Sequence, residues 1–177
     1  GGEKRSPYRE EDPAFPRNLY GVSKLAGEHV VRALLEKHYI LRVSGLYGKT
    51  GPRGKGLNFP DLMVKLARER GEVSVVNDQV LTPTSTVSVA RRIAALIGGM
   101  PHGLYHFTDE GECSWFEFAK QVLEFSGIRA RMTSVTTGFF GEKAARPAYS
   151  VLSKEKIRGI GLDVPDWRDS LREYLSA

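Results

Sequence analysis

The sequence lacks several residue types and patterns, and each absence removes a class of protein. Only one cysteine, Cys113, occurs among 177 residues, so an intramolecular disulfide is impossible and a disulfide-stapled secreted fold is excluded. This cysteine usage fits a reducing cytoplasm, which is the expected location. No apolar run approaches the ~20 residues of a transmembrane helix, and the polar stretch 1–11 has no signal-peptide core. We therefore expect no membrane partner.

Charge of one sign is not concentrated anywhere in the chain. There are 26 basic and 21 acidic residues, for a net charge of +5, and no basic run alternates with aromatic residues. We therefore expect no nucleic-acid partner, while a modest positive balance suits an anionic small molecule such as a nucleotide sugar or NADP. Metal-ligand spacings are missing too, since His102 and His106 on a strand would lie roughly 13 Å apart. We infer no metal site.

Glycine is plentiful, but a phosphate-binding glycine turn is missing. No Gly-x-Gly-x-x-Gly follows an apolar strand, and the Gly48-Lys49-Thr50 triplet is not a phosphate loop because Val43 stands where that motif needs glycine. The sequence therefore offers no site of this kind for a pyrophosphate.

A tyrosine and a lysine four residues apart, Tyr20 and Lys24, are the most informative feature present. On a helix the two side chains share one face, and a neighbouring ammonium favours the phenolate form of a phenol. The pair therefore suits proton transfer to or from a sugar or alcohol oxygen during hydride transfer. The alternative is an ordinary amphipathic helix in which Tyr20 packs and Lys24 is solvated. The motif is made more specific by its surroundings, which include Gly21, Ser23, Gly27 and Glu28.

Hydrophobic periodicity predicts helices that alternate with short strands, which favours an α/β fold. A capping box at Ser114 and Glu117 opens one helix, and Gly71 ends another. The predicted helices cover residues 18–37, 57–70, 86–97, 114–125, 153–158 and 167–175. The predicted strands cover residues 38–43, 73–76, 104–107 and 132–135, and the segment 44–56 is a glycine-rich loop.

Several motifs occur in a fixed order along almost the whole chain. They are Ser6–Asp12, Pro16–Gly21, Leu41–Ser44 with Leu46–Gly48, Asn58-Phe59, Val75–Gln79 with Pro83-Thr84, Gly111–Trp115 and Arg146–Ser150. Together they resemble the dTDP-4-dehydrorhamnose reductase family of the extended short-chain dehydrogenase/reductase superfamily. The resemblance implies the C-terminal part of a Rossmann-type parallel sheet with a small α/β substrate-binding lobe. Hydride transfer requires a dinucleotide, and the glycine-rich turn that would hold it is missing. We therefore expect residues 1–177 to be the C-terminal portion of an NAD(P)-binding reductase whose N-terminal dinucleotide-binding half is absent from this chain.

The resemblance also implies a reaction and its residues. The reaction is the NADPH- or NADH-dependent reduction of dTDP-4-dehydro-rhamnose to dTDP-rhamnose, with this portion inactive alone. Tyr20 would protonate the oxygen at C4, and Lys24 would assist it and hold the nicotinamide ribose, so that Tyr20, Lys24 and Ser44 bind the cofactor. Gln79, Thr84 and Arg146 would bind the dTDP-sugar substrate. A homodimer is compatible with the resemblance.

Two departures from the family pattern leave other functions open. Gly45 stands where the family often has tryptophan, and Leu81 stands where glycine is common. One alternative is a sugar epimerase of the same superfamily, against which Asp78-Gln79 and Arg146-Pro147 favour the reductase. Another is a non-catalytic regulatory subunit that senses a nucleotide, which the intact Tyr20 and Lys24 disfavour.

The Tyr20 helix and the strand after it carry more apolar surface than this chain is expected to cover. The residues concerned are Val22, Val30, Val31, Leu34, Ile40 and Leu41. We expect them to pack against strands that lie upstream of residue 1. The isolated chain is therefore predicted to associate, aggregate or remain partly molten.

Overall fold

A computed structural model describes residues 4–49, 56–97, 99–141 and 145–177. The predicted loop 44–56 is thus described only at 44–49 and at 56. The helices are α1 (Leu19–Leu34), α2 (Phe59–Arg70), α3 (Thr86–Ile97), α4 (Trp115–Phe125), α5 (Glu155–Gly159) and α6 (Trp167–Ser176), with a 3₁₀ helix at Thr137–Phe140. The strands are β1 (Tyr39–Arg42), β2 (Leu46–Tyr47), β3 (Glu72–Val76), β4 (Val80–Leu81), β5 (Thr84–Ser85), β6 (Gly103–His106), β7 (Cys113–Ser114) and β8 (Arg131–Val135).

The strands pair mainly in parallel, as an α/β fold with helical crossovers requires. β1 pairs with β6 from Tyr39 opposite Gly103 to Arg42 opposite His106. β3 pairs with β8, β2 pairs with β5, and only β4 and β7 run antiparallel among the described strands. Each parallel pair is joined through at least one helix. The predicted α/β fold with a Rossmann-type parallel ladder is confirmed.

Helix boundaries follow from local capping chemistry. Asn58 caps α2 by accepting the Asp61 N–H, and Gly71 ends the same helix in the left-handed conformation at φ 68°. The predicted capping box of α4 is confirmed, since Ser114 accepts the Glu117 N–H at 3.1 Å and Glu117 accepts the Ser114 N–H at 2.7 Å. These bonds satisfy N–H groups that a helix start otherwise leaves unpaired.

An aromatic core fills the lobe formed by α2, α4, α6 and the β3–β8 pair. Phe118 is fully buried at its centre, and its ring lies 5.4 Å from Phe59 and 5.6 Å from Trp167, measured between centroids. Cys113 belongs to this core, and burial raises the pKa of its thiol to about 12. The cysteine is therefore a packing residue with little thiolate at neutral pH.

A second core lies against the β1–β6 pair. Its buried members include Leu96, Tyr105, Phe107 and Ile157. A buried ion pair joins Arg92 to Asp109, with 2.7 Å from Nη2 to Oδ1. Asp109 also accepts the Ser88 hydroxyl at 2.6 Å and the Ser85 N–H at 3.2 Å, so it ties α3 to β5.

In contrast to these cores, α1 buries none of its residues in this chain. Of the residues predicted to be uncovered, Val22, Val30 and Leu34 are at least half exposed, as expected, and Leu19 beside them is exposed as well. Val31 and Leu41 are half-buried. For Ile40 the same expectation is wrong. Ile40 is only 8% exposed, because the β1–β6 pairing and the segments around it enclose the strand from within the chain.

Candidate active site

A cavity of about 740 Å³ lies between α1, the end of β1 and two loops. One wall is a face of α1, and a second is the segment that follows β1. The remaining walls come from segment 12–18 before α1 and from segment 147–152 near the end of the chain. The volume is within the range of small-molecule and cofactor sites.

Tyr20 and Lys24 both line this cavity from α1. The Lys24 Nζ lies 5.3 Å from the centroid of the Tyr20 ring, as the spacing of four residues on a helix predicts. Tyr20 is 71% exposed, so its ring is not a core packing residue in this chain. The exposure of Tyr20 disfavours the alternative of an ordinary amphipathic helix in which this tyrosine packs.

Asn18 caps the start of α1 and also bonds to the loop that leads into segment 147–152. Asn18 accepts the Gly21 N–H at 2.9 Å and donates from its amide to the Ala145 carbonyl at 2.9 Å. The cap thereby joins the first turn of α1, which holds Tyr20, to the loop that leads into segment 147–152. Two walls of the cavity are held together by one asparagine.

Ser44 lies on the opposite wall, directly after β1. Its hydroxyl oxygen is 3.4 Å from that of Ser150, which in turn donates to the Val80 carbonyl at 3.2 Å. Ser44 and Ser150 both line the cavity. The structure therefore brings together three predicted site residues, Tyr20, Lys24 and Ser44.

Gln79 and Thr84 are not brought to the cavity. Gln79 is 6% exposed and donates from Nε2 to the Thr137 hydroxyl at 2.7 Å. Thr84 is fully buried, donates to the Thr82 carbonyl at 3.1 Å and accepts the Asp109 N–H at 3.4 Å. Both side chains are engaged within the protein, and their substrate-binding roles stay predictions.

Arg146 is exposed and lies beside Pro147, which lines the cavity. The strand-like segment after it is held in place by backbone bonds: the Val80 N–H donates to Ala148, and the Ser150 N–H donates to Val80. Arg146 thus lies next to the cavity on an anchored segment. Its substrate-binding role also stays a prediction.

Two residues that line the cavity, a tyrosine and a histidine, were not predicted as site residues. Tyr149 lines it, and burial together with the bond from its hydroxyl to Glu112, at 2.6 Å, raises the pKa of the phenol above its usual range. His106 also lines it and is 1% exposed. The Arg146–Ser150 motif contained Tyr149, but only the folded chain shows which of its side chains faces the cavity.

His106 forms a buried pair with Glu10, whose side chain is 5% exposed. The His106 backbone N–H donates to Glu10 at 2.9 Å, and the ring Nδ1 lies 3.8 Å from the other carboxylate oxygen. Neither ring nitrogen has a hydrogen-bond partner among the described residues. Burial lowers the pKa of His106, and Arg42 lowers it further, although Glu10 opposes both.

An ion pair connects α1 to β1 at the side of the cavity. Arg42 donates to the two Glu28 oxygens at 2.8 and 2.7 Å, and both residues line the cavity. Burial works against the charge of Glu28, but Arg42, with help from Arg32, outweighs it and holds the pKa of Glu28 below its ordinary value. Glu28 lies one turn beyond Lys24 on the same helix face.

Comparison with known proteins defines the family. The profile described as RmlD substrate binding domain matches residues 1–177. The chain belongs to this family. A Bacillus subtilis relative named spore coat polysaccharide biosynthesis protein SpsK is 42% identical over 174 residues, covering 98% of this chain and 59% of the relative. A Streptomyces griseus relative named dTDP-4-dehydrorhamnose reductase is 37% identical over 184 residues, covering 99% and 59%.

Solved structures agree with the family assignment. A crystal structure of Bacillus anthracis dTDP-4-dehydrorhamnose reductase in complex with NADP matches with a TM-score of 0.93 and 39% identity. The match covers 99% of this chain and 61% of that one. The chain therefore spans about three fifths of the length of the relatives that it matches. Across its described residues, no helix has both the length and the apolar character of a membrane span.

Proposed function

We propose that this chain is the C-terminal, substrate-binding portion of a nucleotide-sugar reductase that converts dTDP-4-dehydro-rhamnose to dTDP-rhamnose with NADPH or NADH. The observation that carries the proposal is the convergence of Tyr20, Lys24 and Ser44 on one cavity. Family membership supports the substrate class, since relatives that share 35–37% of its residues bear the name dTDP-4-dehydrorhamnose reductase.

The residues at the cavity fit the nicotinamide end of a dinucleotide. Lys24, Tyr20 and Ser44 offer an ammonium and two hydroxyl groups, which can hydrogen-bond ribose hydroxyls. Val43 and Leu46, exposed by 38% and 48% beside Ser44, offer an apolar surface for a planar ring. No residues in the sequence form the glycine-rich turn that holds a pyrophosphate, so we assign that part of cofactor binding to a segment outside this chain.

Within this proposal the two residues of α1 have separate tasks. When bound, the dihydronicotinamide supplies a hydride to the C4 carbonyl carbon. Tyr20 donates its phenolic proton to the carbonyl oxygen, so the ketone becomes an alcohol and the phenolate is reprotonated from solvent. Lys24, whose Nζ lies 5.3 Å from the Tyr20 ring centroid, holds the ribose hydroxyls.

The substrate-binding residues divide by location. Arg146, exposed beside the cavity, is proposed to bind the anionic diphosphate of the dTDP-sugar. Gln79 and Thr84 are proposed to contribute to substrate binding by stabilising the loop that contains them, through their bonds to Thr137 and Thr82. A homodimer and a cytoplasmic location complete the proposal, the latter because a chain with a single cysteine cannot form an intramolecular disulfide.

The test is NADPH oxidation with dTDP-4-dehydro-rhamnose by the complete protein and by the 177-residue chain. The complete protein should consume one NADPH per sugar reduced, whereas an epimerase would show no net consumption and a regulatory subunit would bind without turnover. The 177-residue chain should be inactive, because it lacks a pyrophosphate-binding turn. Turnover of 1–10³ per second, the range of ordinary enzymes, by the 177-residue chain would contradict the C-terminal-portion proposal.

A further inference from the structure

Tyr20 and Lys24 need a fixed position at the cavity, yet their helix has few attachments. No residue of α1 is buried in this chain. Among the described residues, Glu28 is the only member of α1 whose side chain hydrogen-bonds outside the helix and its cap. The Asn18 cap ties the first turn of α1 to the Ala145 carbonyl, and the other contacts of α1 within this chain are half-buried apolar side chains such as Leu25, which are not directional. Beyond the first turn, such contacts alone do not fix the rotation of the helix about its axis.

The Glu28–Arg42 ion pair has the geometry needed to prevent that rotation. Two parallel bonds, from Nε to Oε1 and from Nη2 to Oε2, join a planar guanidinium to a planar carboxylate. Such a pair fixes orientation as well as distance. The side chains are only 22% and 15% exposed, so solvent competes less than it would at an open surface.

The position of Glu28 along α1 relates this restraint to Tyr20 and Lys24. Positions 20, 24 and 28 follow one another at four-residue intervals, so they share the face of α1 that lines the cavity. On the other side, Arg42 is the last residue of β1 and lies opposite His106 of β6. The ion pair therefore attaches the face that carries Tyr20 directly to the parallel ladder.

We propose that Glu28 and Arg42 are positioning residues, whose ion pair sets the rotation of α1 and thereby aims Tyr20 and Lys24 into the cavity. This inference rests on the proposed function for its effect on turnover, although not for its effect on the helix. Both residues line the wall of the cavity, but their polar atoms bond to each other, so we assign them a positioning role and no contact with substrate or cofactor. Their removal should alter the placement of the proton donor, and a misplacement of about 1 Å can cost up to roughly 100-fold in rate.

The first experiment measures kinetics in the complete protein with Arg42→Lys, which keeps the charge but loses the paired bonds. We expect kcat to fall roughly tenfold or more, while KM for the nucleotide sugar changes little, because binding groups are retained. Arg32→Ala is the matched control, since Arg32 approaches the same carboxylate only at 3.7 Å and is exposed. Glu28→Arg combined with Arg42→Glu should recover part of the kcat lost in either single variant.

The second experiment uses the complete protein and needs no turnover. In Arg42→Lys and Arg42→Ala, amide hydrogen exchange in α1 should become faster by on the order of tenfold, while the β3–β8 amides remain unchanged. Unchanged exchange in α1 would overturn the proposal, as would equal acceleration in both regions, which indicates a general loss of stability. If the complete protein reduces no keto sugar, the proposed function fails, and the exchange result still decides the role of the ion pair.

Discussion

The lobe around Phe118 and helix α1 differ in how much of their apolar side-chain surface this chain buries. Phe118 is fully buried and its ring approaches those of Tyr47, Phe59, Trp115 and Trp167. Four bulky apolar side chains of α1, by contrast, are at least half exposed. Within residues 1–177, the proposed proton donor Tyr20 therefore lies on the longest helix, α1, which this chain leaves without a buried residue. The polar bonds of Asn18 and of the Glu28–Arg42 pair attach that helix, whereas the lobe is held by apolar burial.

The largest effect should come from the lobe. Phe118→Ala is expected to lower the free energy of unfolding by about 3–5 kcal/mol, because it removes a fully buried ring and leaves a cavity. Leu34→Ala on α1 is the matched control, and since Leu34 is 75% exposed its effect should stay within about 0.5 kcal/mol. Urea denaturation followed by circular dichroism measures both. Equal losses in the two variants would remove the contrast between the regions.

Next in size is the effect of removing the phenol from α1. Tyr20→Phe in the complete protein should lower kcat by roughly 100-fold or more, with little change in cofactor binding, because one proton donor is lost and the ring is kept. Steady-state NADPH oxidation and a separate cofactor titration measure the two quantities. Tyr8→Phe, which alters another cavity phenol, is the comparison variant. Near-normal turnover of Tyr20→Phe would refute its assignment as proton donor.

A smaller effect concerns pH. Burial lowers the pKa of His106 in the folded chain from its ordinary 6.5, so the unfolded chain takes up a proton first as the pH falls. Stability is therefore fully present above about pH 6.5 and is lost below it, by at most about 1.4 kcal/mol per pH unit. Denaturation curves at pH 7.5 and 5.5 should show this loss. His106→Phe should reduce it, whereas His102→Gln at an exposed position should not.

The smallest effect on stability is expected from the exposed apolar residues of α1, which are Leu19, Val22, Val30 and Leu34. The same residues should have a measurable effect on the oligomeric state. The isolated chain is expected to associate through this surface. Val22→Lys combined with Val30→Lys should shift the chain toward a monomer and reduce binding of a dye for apolar surfaces. The unfolding free energy should change by only about 0.5 kcal/mol, because both residues are at least half exposed. The expectation would be contradicted if light scattering found the unmodified chain to be a monomer and the dye did not bind to it.

Much of the fold could be predicted because its signals are local. The helix Thr86–Ile97 has the predicted bounds, and the Ser114–Glu117 capping box forms both of its bonds. The pair of Tyr20 and Lys24 was found in the same way, since four residues on a helix fix their proximity. The two-residue strands, such as β2 and β5, were not predicted, because they exist only through pairing with distant segments.

The part of the site that depends on tertiary packing could not be predicted in the same way. Gln79 and Thr84 are polar residues in a motif, but their side chains turn inward to Thr137 and Thr82. His106 ends a strand that begins with Gly103, and nothing in that stretch shows that it borders a cavity or that it pairs with Glu10. Such roles depend on which segments meet, and residues as distant as 10 and 106 meet only in the folded chain.

The pairing of β1 with β6 has a consequence for the order in which the molecule is made. The partner of Tyr39 is Gly103, about 60 residues further along the chain. At the roughly 5–20 residues per second of protein synthesis, α1 and β1 therefore leave the ribosome some 3–12 s before their ladder partner. During that interval β1 has no β6 beside it. Nascent chains arrested before Gly103 should thus remain sensitive to proteases at β1, and those arrested well after His106 should be less sensitive there.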